Sequence, residues 1–203
     1  MKIIGIGRNY AAHAEELNNE LPTAPVVFMK PSTALLHSNA DFILPSFTND
    51  CQHEVELVVR ISKKGKNIPH AQALEYIDAL TVGIDFTARD LQQELKTKSL
   101  PWELAKAFDQ SAVVGKWIDI ELIKDWKDIN FCLYKNRELA QQGNSVNMIF
   151  DFEQIIHFVS KYFTLEPGDI VFTGTPQGVE AVGVGDLLEG FLEDDSVFEF
   201  NVV

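Results

Sequence analysis

The chain has 203 residues, 46% of them hydrophobic, enough to bury one sizeable core; its length favours a single domain spanning residues 1–203. With 30 acidic against 17 basic residues the formal charge is −13, which repels nucleic acid and anionic lipid, so neither is expected as a partner. The same field opposes an anionic small substrate unless a metal ion or local Lys and Arg offset it.

In chain order, residues 2–6 read as a short buried strand and residues 9–18 as a helix opened by Asn9 as N-cap, which places His13 and Glu16 three apart on one helical face. The apolar segments 26–29 and 42–44, each bounded by proline, read as strands. From Val55 the chain alternates, with Val55, Leu57, Val59 and Ile61 on one face and Glu54, Glu56, Val58 and Arg60 on the other. A helix is expected near 70–78. The apolar strand 80–84 then stops at Asp85, and a helix follows with Thr87 as its cap. Strands near 112–115, 129–134, 170–173 and 197–202 and a helix near 151–162 complete an α+β pattern in which strands predominate and do not alternate regularly with helices. No repeat, linker, signal peptide or run of roughly 18 apolar residues is apparent, and a cytoplasmic protein is expected. Cys51 and Cys132 read as reduced packing residues.

The chemistry rests on a few side chains. Glu54 and Glu56, two apart on a strand, point to the same side, where they either bridge one hard cation or decorate an exposed face. Asp85 at a strand end either completes an oxygen site or caps a turn. Three carboxylates without Cys or His favour Mg²⁺ or Mn²⁺ over Zn²⁺. His13 beside Glu16 has the form of a general base with its orienting carboxylate, or of an ordinary polar helix face. Lys106 lies among Leu104, Ala105, Ala107 and Phe108, where it either stabilises an oxyanion or snorkels to the surface. Arg89 and Gln92 share a helix face near Asp85. The turn 168–179 offers backbone N–H groups with the hydroxyls of Thr173 and Thr175. GIGRNY at 5–10 lacks the third glycine of a dinucleotide fingerprint, since Tyr10 stands there, and no nucleotide is expected.

The segments GRNYAAHAEEL (7–17), KPSTAL (30–35), HEVELVV (53–59), GIDFTARDLQ (83–92), LPWELAKAFD (100–109) and GDIVFTGTPQGV (168–179) together resemble the fumarylacetoacetate hydrolase family, in particular its short acylpyruvase and oxaloacetate decarboxylase-like branch. The resemblance covers most of the chain; beyond Gly178 it loosens. It implies a β-rich α+β fold of layered mixed sheets with a few peripheral helices, and a homodimer. It implies a divalent metal, Mg²⁺ or Mn²⁺, at Glu54, Glu56 and Asp85, catalytic roles for His13, Glu16 and Lys106, and Arg89, Gln92 and Thr175 beside a bound small 2-oxo acid. Such an acid chelates Mg²⁺ through its carboxylate and keto oxygens, which answers the charge problem. The expected activity is C–C cleavage of acylpyruvates to a carboxylic acid and pyruvate, decarboxylation of oxaloacetate, or both. The chain is expected to lack the extra N-terminal domain of true fumarylacetoacetases, and that activity is not expected. The rivals are an isomerase or hydratase of 2-oxo-dienoates, against which the His13–Glu16 pair favours cleavage, and a binding protein without turnover, against which the filled dyad and Lys106 positions argue.

Overall fold

The alternating segment that begins at Val55 forms the centre of the computed structural model, which describes residues 1–16, 20–37 and 40–203. Strand Val55–Ile61 pairs antiparallel with Ile77–Asp85 on one side and Ile170–Phe172 on the other. They belong to an eight-stranded sheet ordered Val26–Lys30, Ile3–Gly7, Ile170–Phe172, Val55–Ile61, Ile77–Asp85, Ala112–Val114, Leu35–His37, with Ile118–Asp119 paired to Ile77–Asp85 as well. Two pairings are parallel, Ile3–Gly7 with Ile170–Phe172 and Leu35–His37 with Ala112–Val114. A four-stranded antiparallel sheet runs Glu138–Asn144, Asn130–Lys135, Leu187–Leu192, Asp195–Asn201, and a three-stranded ribbon Glu180–Ala181, Cys51–His53, Thr87–Ala88. Helices Ala11–Glu16, Arg89–Thr97, Glu103–Lys106 and Phe152–Tyr162 are short, so the molecule is α+β and strand-rich, as the sequence implies.

Both faces of the central strand are covered. Val55, Leu57, Val59 and Ile61 join Phe131, Leu133, Leu188 and Phe198 of the four-stranded sheet in the main core. Val58 packs on the opposite face with Ile3, Ala112, Ile170 and Phe172. Each such large apolar side chain contributes about 1.5–3 kcal/mol by leaving water. The expectation of a polar, exposed face on this strand is therefore corrected in part, since Glu56 and Val58 are as buried as Leu57.

Other local expectations change for identifiable reasons. Phe42 makes a single parallel bridge to Val202, and Leu44 N–H donates to Val203 O; Pro45 brings no N–H, so no strand develops at 42–44. The segment His70–Tyr76 is a 3₁₀ helix that follows Pro69. Asn9 caps nothing: its amide donates to Phe150 O and Thr173 O and its carbonyl accepts from Phe150 N–H, tying three segments together. The helix it was expected to open spans Ala11–Glu16, and the expected end at 17–18 lies outside the described residues. Thr87 pairs with Gln52 in the ribbon, leaving Ala88 at the N-cap position of the next helix. Strands Glu138–Asn144 and Leu187–Leu192 escaped the sequence reading; the first is rich in Gln, Asn and Gly, and only pairing with Asn130–Lys135 makes it a strand.

Candidate active site

Strand register assembles the acidic residues. Val55 pairs with Ile84 and Glu56 with Gly83, so Asp85, at the end of its strand, falls opposite Glu54, and its N–H donates to Glu54 O at 2.8 Å. Glu54, Glu56 and Asp85 are 5%, 2% and 0% exposed, which removes the exposed-face reading of Glu54 and Glu56. One carboxylate oxygen from each lies within 4.8 Å of the others. Around a Mg²⁺ or Mn²⁺ ion with oxygens at about 2.1 Å, neighbouring ligands stand roughly 3 Å apart and opposite ones roughly 4 Å apart, so the three residues fit such an ion.

Cations crowd the same carboxylates. Lys106 Nζ lies 2.6 Å from Glu54 Oε2 and 2.6 Å from Asp85 Oδ2, and Arg89 Nη2 lies 2.5 Å from Glu54 Oε1. Lys30 Nζ reaches Asp85 Oδ1 at 2.7 Å, a charge contact without hydrogen-bond alignment, and donates to Ser111 Oγ at 2.9 Å. Burial pushes the Glu54 carboxyl up, but Lys106 and Arg89 outweigh it and hold Glu54 well below the usual carboxylate range. Glu56 has the opposite balance. Burial, then the charges of Asp85 and Glu54, raise it well above that range, and the Gly174 N–H bond at 2.7 Å offsets only part of this. Glu56 forms no ion pair among the described residues, and a cation shared by the three carboxylates would compensate its burial. Gly174 reaches it at φ 103°, where a Cβ would stand 2.6 Å from Asn9 Cβ.

His13 is 5% exposed, and its Nδ1 lies 3.0 Å from Glu16 Oε2. Glu16 Oε1 in turn accepts from Gly178 N–H at 3.0 Å, which joins the first helix to the Gly and Pro turn. His13, Glu54, Arg89, Gln92 and Lys106 line one pocket of about 30 Å³, room for about one water. Arg89 Nη1 donates to Gln92 Oε1 at 2.7 Å, so these two act as a unit. Thr175 is buried outside that lining; its hydroxyl accepts from Gln141 Nε2 at 2.9 Å, one residue beyond the Gly174 amide that bonds Glu56.

Several residues of the site were missed in the sequence. Lys30 ends the apolar run VVFMK and is 3% exposed, a charge at a strand end that was itself a signal. Gln141 Oε1 accepts from Val55 N–H and faces His53 Nδ1, while its amide donates to Thr175 and Pro176 O. Nothing in the polar stretch ELAQQGN marks it, because its partners come from elsewhere in the chain. Arg8, Lys96 and Trp102 complete the pocket wall.

The sequence pattern of the family described as "Fumarylacetoacetate (FAA) hydrolase C-terminal" matches residues 2–202. The chain belongs to the fumarylacetoacetate hydrolase family. Within that family it is 40% identical over 200 residues to the rat protein named oxaloacetate tautomerase FAHD1, mitochondrial, covering 98% of this chain and 90% of the relative. It is 38% identical over 204 residues to the Dictyostelium discoideum oxaloacetate decarboxylase, mitochondrial, covering 100% of this chain and 94% of that one. Its fold superposes on the crystal structure of fumarylpyruvate hydrolase from Pseudomonas aeruginosa in complex with Mn²⁺ and pyruvate with a TM-score of 0.95 and 34% identity, covering 100% of this chain and 89% of the other. These family relatives bear the names of enzymes. None of the described helices is long and apolar enough to cross a membrane.

Proposed function

We propose that this member of the family, as a single catalytic domain over residues 1–203, is a divalent-metal-dependent enzyme that generates a pyruvate enolate from a small 2-oxo acid. Its substrates are acylpyruvates, cleaved by hydrolysis, and oxaloacetate, cleaved by decarboxylation. The observation that carries this is a cluster of three buried carboxylates, one of which, Glu54, lines the same pocket as Lys106 and as His13 with its Glu16 partner. Glu54, Glu56 and Asp85 would hold a Mg²⁺ or Mn²⁺ ion, which would supply Lewis-acid stabilisation of negative charge on the oxo acid.

The side chains then divide the work. Arg89, steadied by Gln92, binds the substrate carboxylate, and Thr175 on its buried Gln141 support lies beside the oxo acid. Lys106, whose ammonium lies beside Glu54 and Asp85, would offer its charge to the developing enolate oxygen. His13 takes a proton from water, and Glu16 orients the ring and supports the imidazolium. The water oxygen bonds to the distal carbonyl carbon, the C–C bond breaks, and its electron pair leaves as pyruvate enolate, which takes up a proton. With oxaloacetate the same enolate forms by loss of CO₂, and no water is activated.

The name of the rat relative favours a second reading, keto–enol exchange of oxaloacetate, in which one proton moves between carbon and oxygen and no C–C bond breaks. A double-bond isomerase of 2-oxo-dienoates is the further alternative. Small 2-oxo acids, not nucleic acid or membrane, are the partners in every case, and the enzyme works as a homodimer, which light scattering tests. The free cysteines Cys51 and Cys132 fit a reducing compartment, the cytosol.

The deciding experiment measures pyruvate release from acetylpyruvate and from oxaloacetate, with Mg²⁺ and with EDTA, corrected for metal-only decay. Turnover that EDTA abolishes is expected, and the ratio of the two rates ranks hydrolase against decarboxylase. No pyruvate from either substrate, with fast enol–keto exchange of oxaloacetate, would move the assignment to the tautomerase.

A further inference from the structure

The pocket wall holds four cationic side chains, Arg8, Arg89, Lys96 and Lys106, against the single carboxylate of Glu54. Arg89 and Lys106 are both engaged with Glu54. Arg8 and Lys96 make no ion pair among the described residues, although each is only partly exposed. They meet at one aromatic ring: Arg8 Cζ lies 6.0 Å and Lys96 Nζ 5.5 Å from the centroid of Trp102. Arg8 Nε is buried without a hydrogen-bond partner. Its backbone stands at φ 59°, a left-handed conformation that costs a non-glycine residue free energy and persists only where the surroundings enforce it.

Two like charges on one ring, with a buried donor unsatisfied, cost free energy that an anion between them would recover. In a chain of formal charge −13, cations left without carboxylates beside the acidic cluster need a reason. We infer that Arg8 and Lys96, backed by Trp102, form a second anion subsite that holds the far carboxylate of the substrate, and that the enzyme therefore selects 2-oxo diacids over 2-oxo monoacids. This rests on the 2-oxo-acid function proposed above, with Arg89 and the metal ligands taking the near end. Burial, then the guanidiniums of Arg89 and Arg8, draw the Lys96 ammonium down to about 8, in keeping with a positive cluster that gains from a bound anion.

The test titrates the magnesium-loaded protein calorimetrically with 2-oxoglutarate and with 2-oxopentanoate, five-carbon acids whose far ends are a carboxylate and a methyl group. The native protein is expected to prefer the diacid by at least about tenfold. The double variant Arg8→Gln, Lys96→Gln is expected to bind the diacid about 100-fold more weakly, through loss of two charge-assisted hydrogen bonds. Its affinity for the monoacid should stay within about threefold, which also reports that it is folded. The kcat/KM ratio of oxaloacetate to acetylpyruvate should fall with the diacid affinity, and Arg8→Lys should restore part of both. Equal native affinity for the two acids, or equal weakening of both in the double variant, would overturn the subsite. A native protein that binds neither acid while retaining its metal would instead overturn the 2-oxo-acid function on which the subsite rests.

Discussion

Lys30 Nζ stands 2.7 Å from Asp85 Oδ1, and each side chain is only 1% exposed. Removing one member of such a pair leaves a charge in a low-dielectric interior, which costs more than the pair contributes. Lys30→Met is therefore expected to lower unfolding stability by about 3 kcal/mol, read from urea denaturation. Added Mg²⁺ should recover part of the loss, because an ion on Asp85 replaces the missing charge. An unchanged urea midpoint would show that Lys30 carries no structural load.

Glu56 joins Glu54 and Asp85 in the proposed metal site while forming no ion pair among the described residues. Glu56→Ala is expected to lower metal-dependent turnover by at least about 100-fold. In calorimetric scans Mg²⁺ should raise the melting temperature of the native protein and leave that of the variant unmoved. A variant that still gains thermal stability from Mg²⁺ would place the ion elsewhere.

The His13–Glu16 contact at 3.0 Å separates the two proposed reactions. His13→Ala should depress acylpyruvate hydrolysis by about 100-fold or more, the usual range for a lost general base, and affect oxaloacetate decarboxylation far less. Equal losses in both reactions would count against water activation by His13.

Gln141 satisfies four partners at once, two with its carbonyl and two with its amide. Gln141→Leu strands the Val55 N–H inside the protein and leaves the Thr175 hydroxyl only its longer bond to Pro176 O, with an expected cost of about 3 kcal/mol. It should also raise KM for the oxo acid through a misplaced Thr175. Native stability with unaltered KM would refute the positioning role.

Cys51 is 3% exposed, and burial, outweighing the effect of Lys30, pushes its thiol up to about 12. At pH 8 the folded chain keeps it as inert thiol, so it should resist alkylation until the protein unfolds. The sign of the linkage follows: above the ordinary thiol range the unfolded chain ionises and the folded chain does not, so this group removes stability as pH rises from about 9 towards 12. Rapid labelling of Cys51 in the native protein at pH 8 would contradict its burial.

Much of this was present in the sequence as local pattern. The alternation from Val55 fixes a strand and its apolar face, the arrest of the apolar run at Asp85 marks a strand end, and the i,i+3 spacing of His13 and Glu16 delivers a bonded pair, because each depends on backbone period alone. The family motifs name Glu54, Glu56, Asp85, Arg89, Gln92 and Lys106, and the structure brings these residues together. Tertiary structure decided the rest. Register between Val55–Ile61 and Ile77–Asp85 sets Asp85 against Glu54, and sheet packing buries the face of Glu56 that strand period alone leaves open to either solvent or core. Lys30 and Gln141 acquire their partners across tens of residues, and Arg8, Lys96 and Trp102 meet only through folding. The sequence by itself determined which groups the chain possesses and which local faces they share. Which charges end up buried beside which others was decided by tertiary structure alone, because Coulomb interaction and desolvation depend on distance and exposure in space, not on separation along the chain.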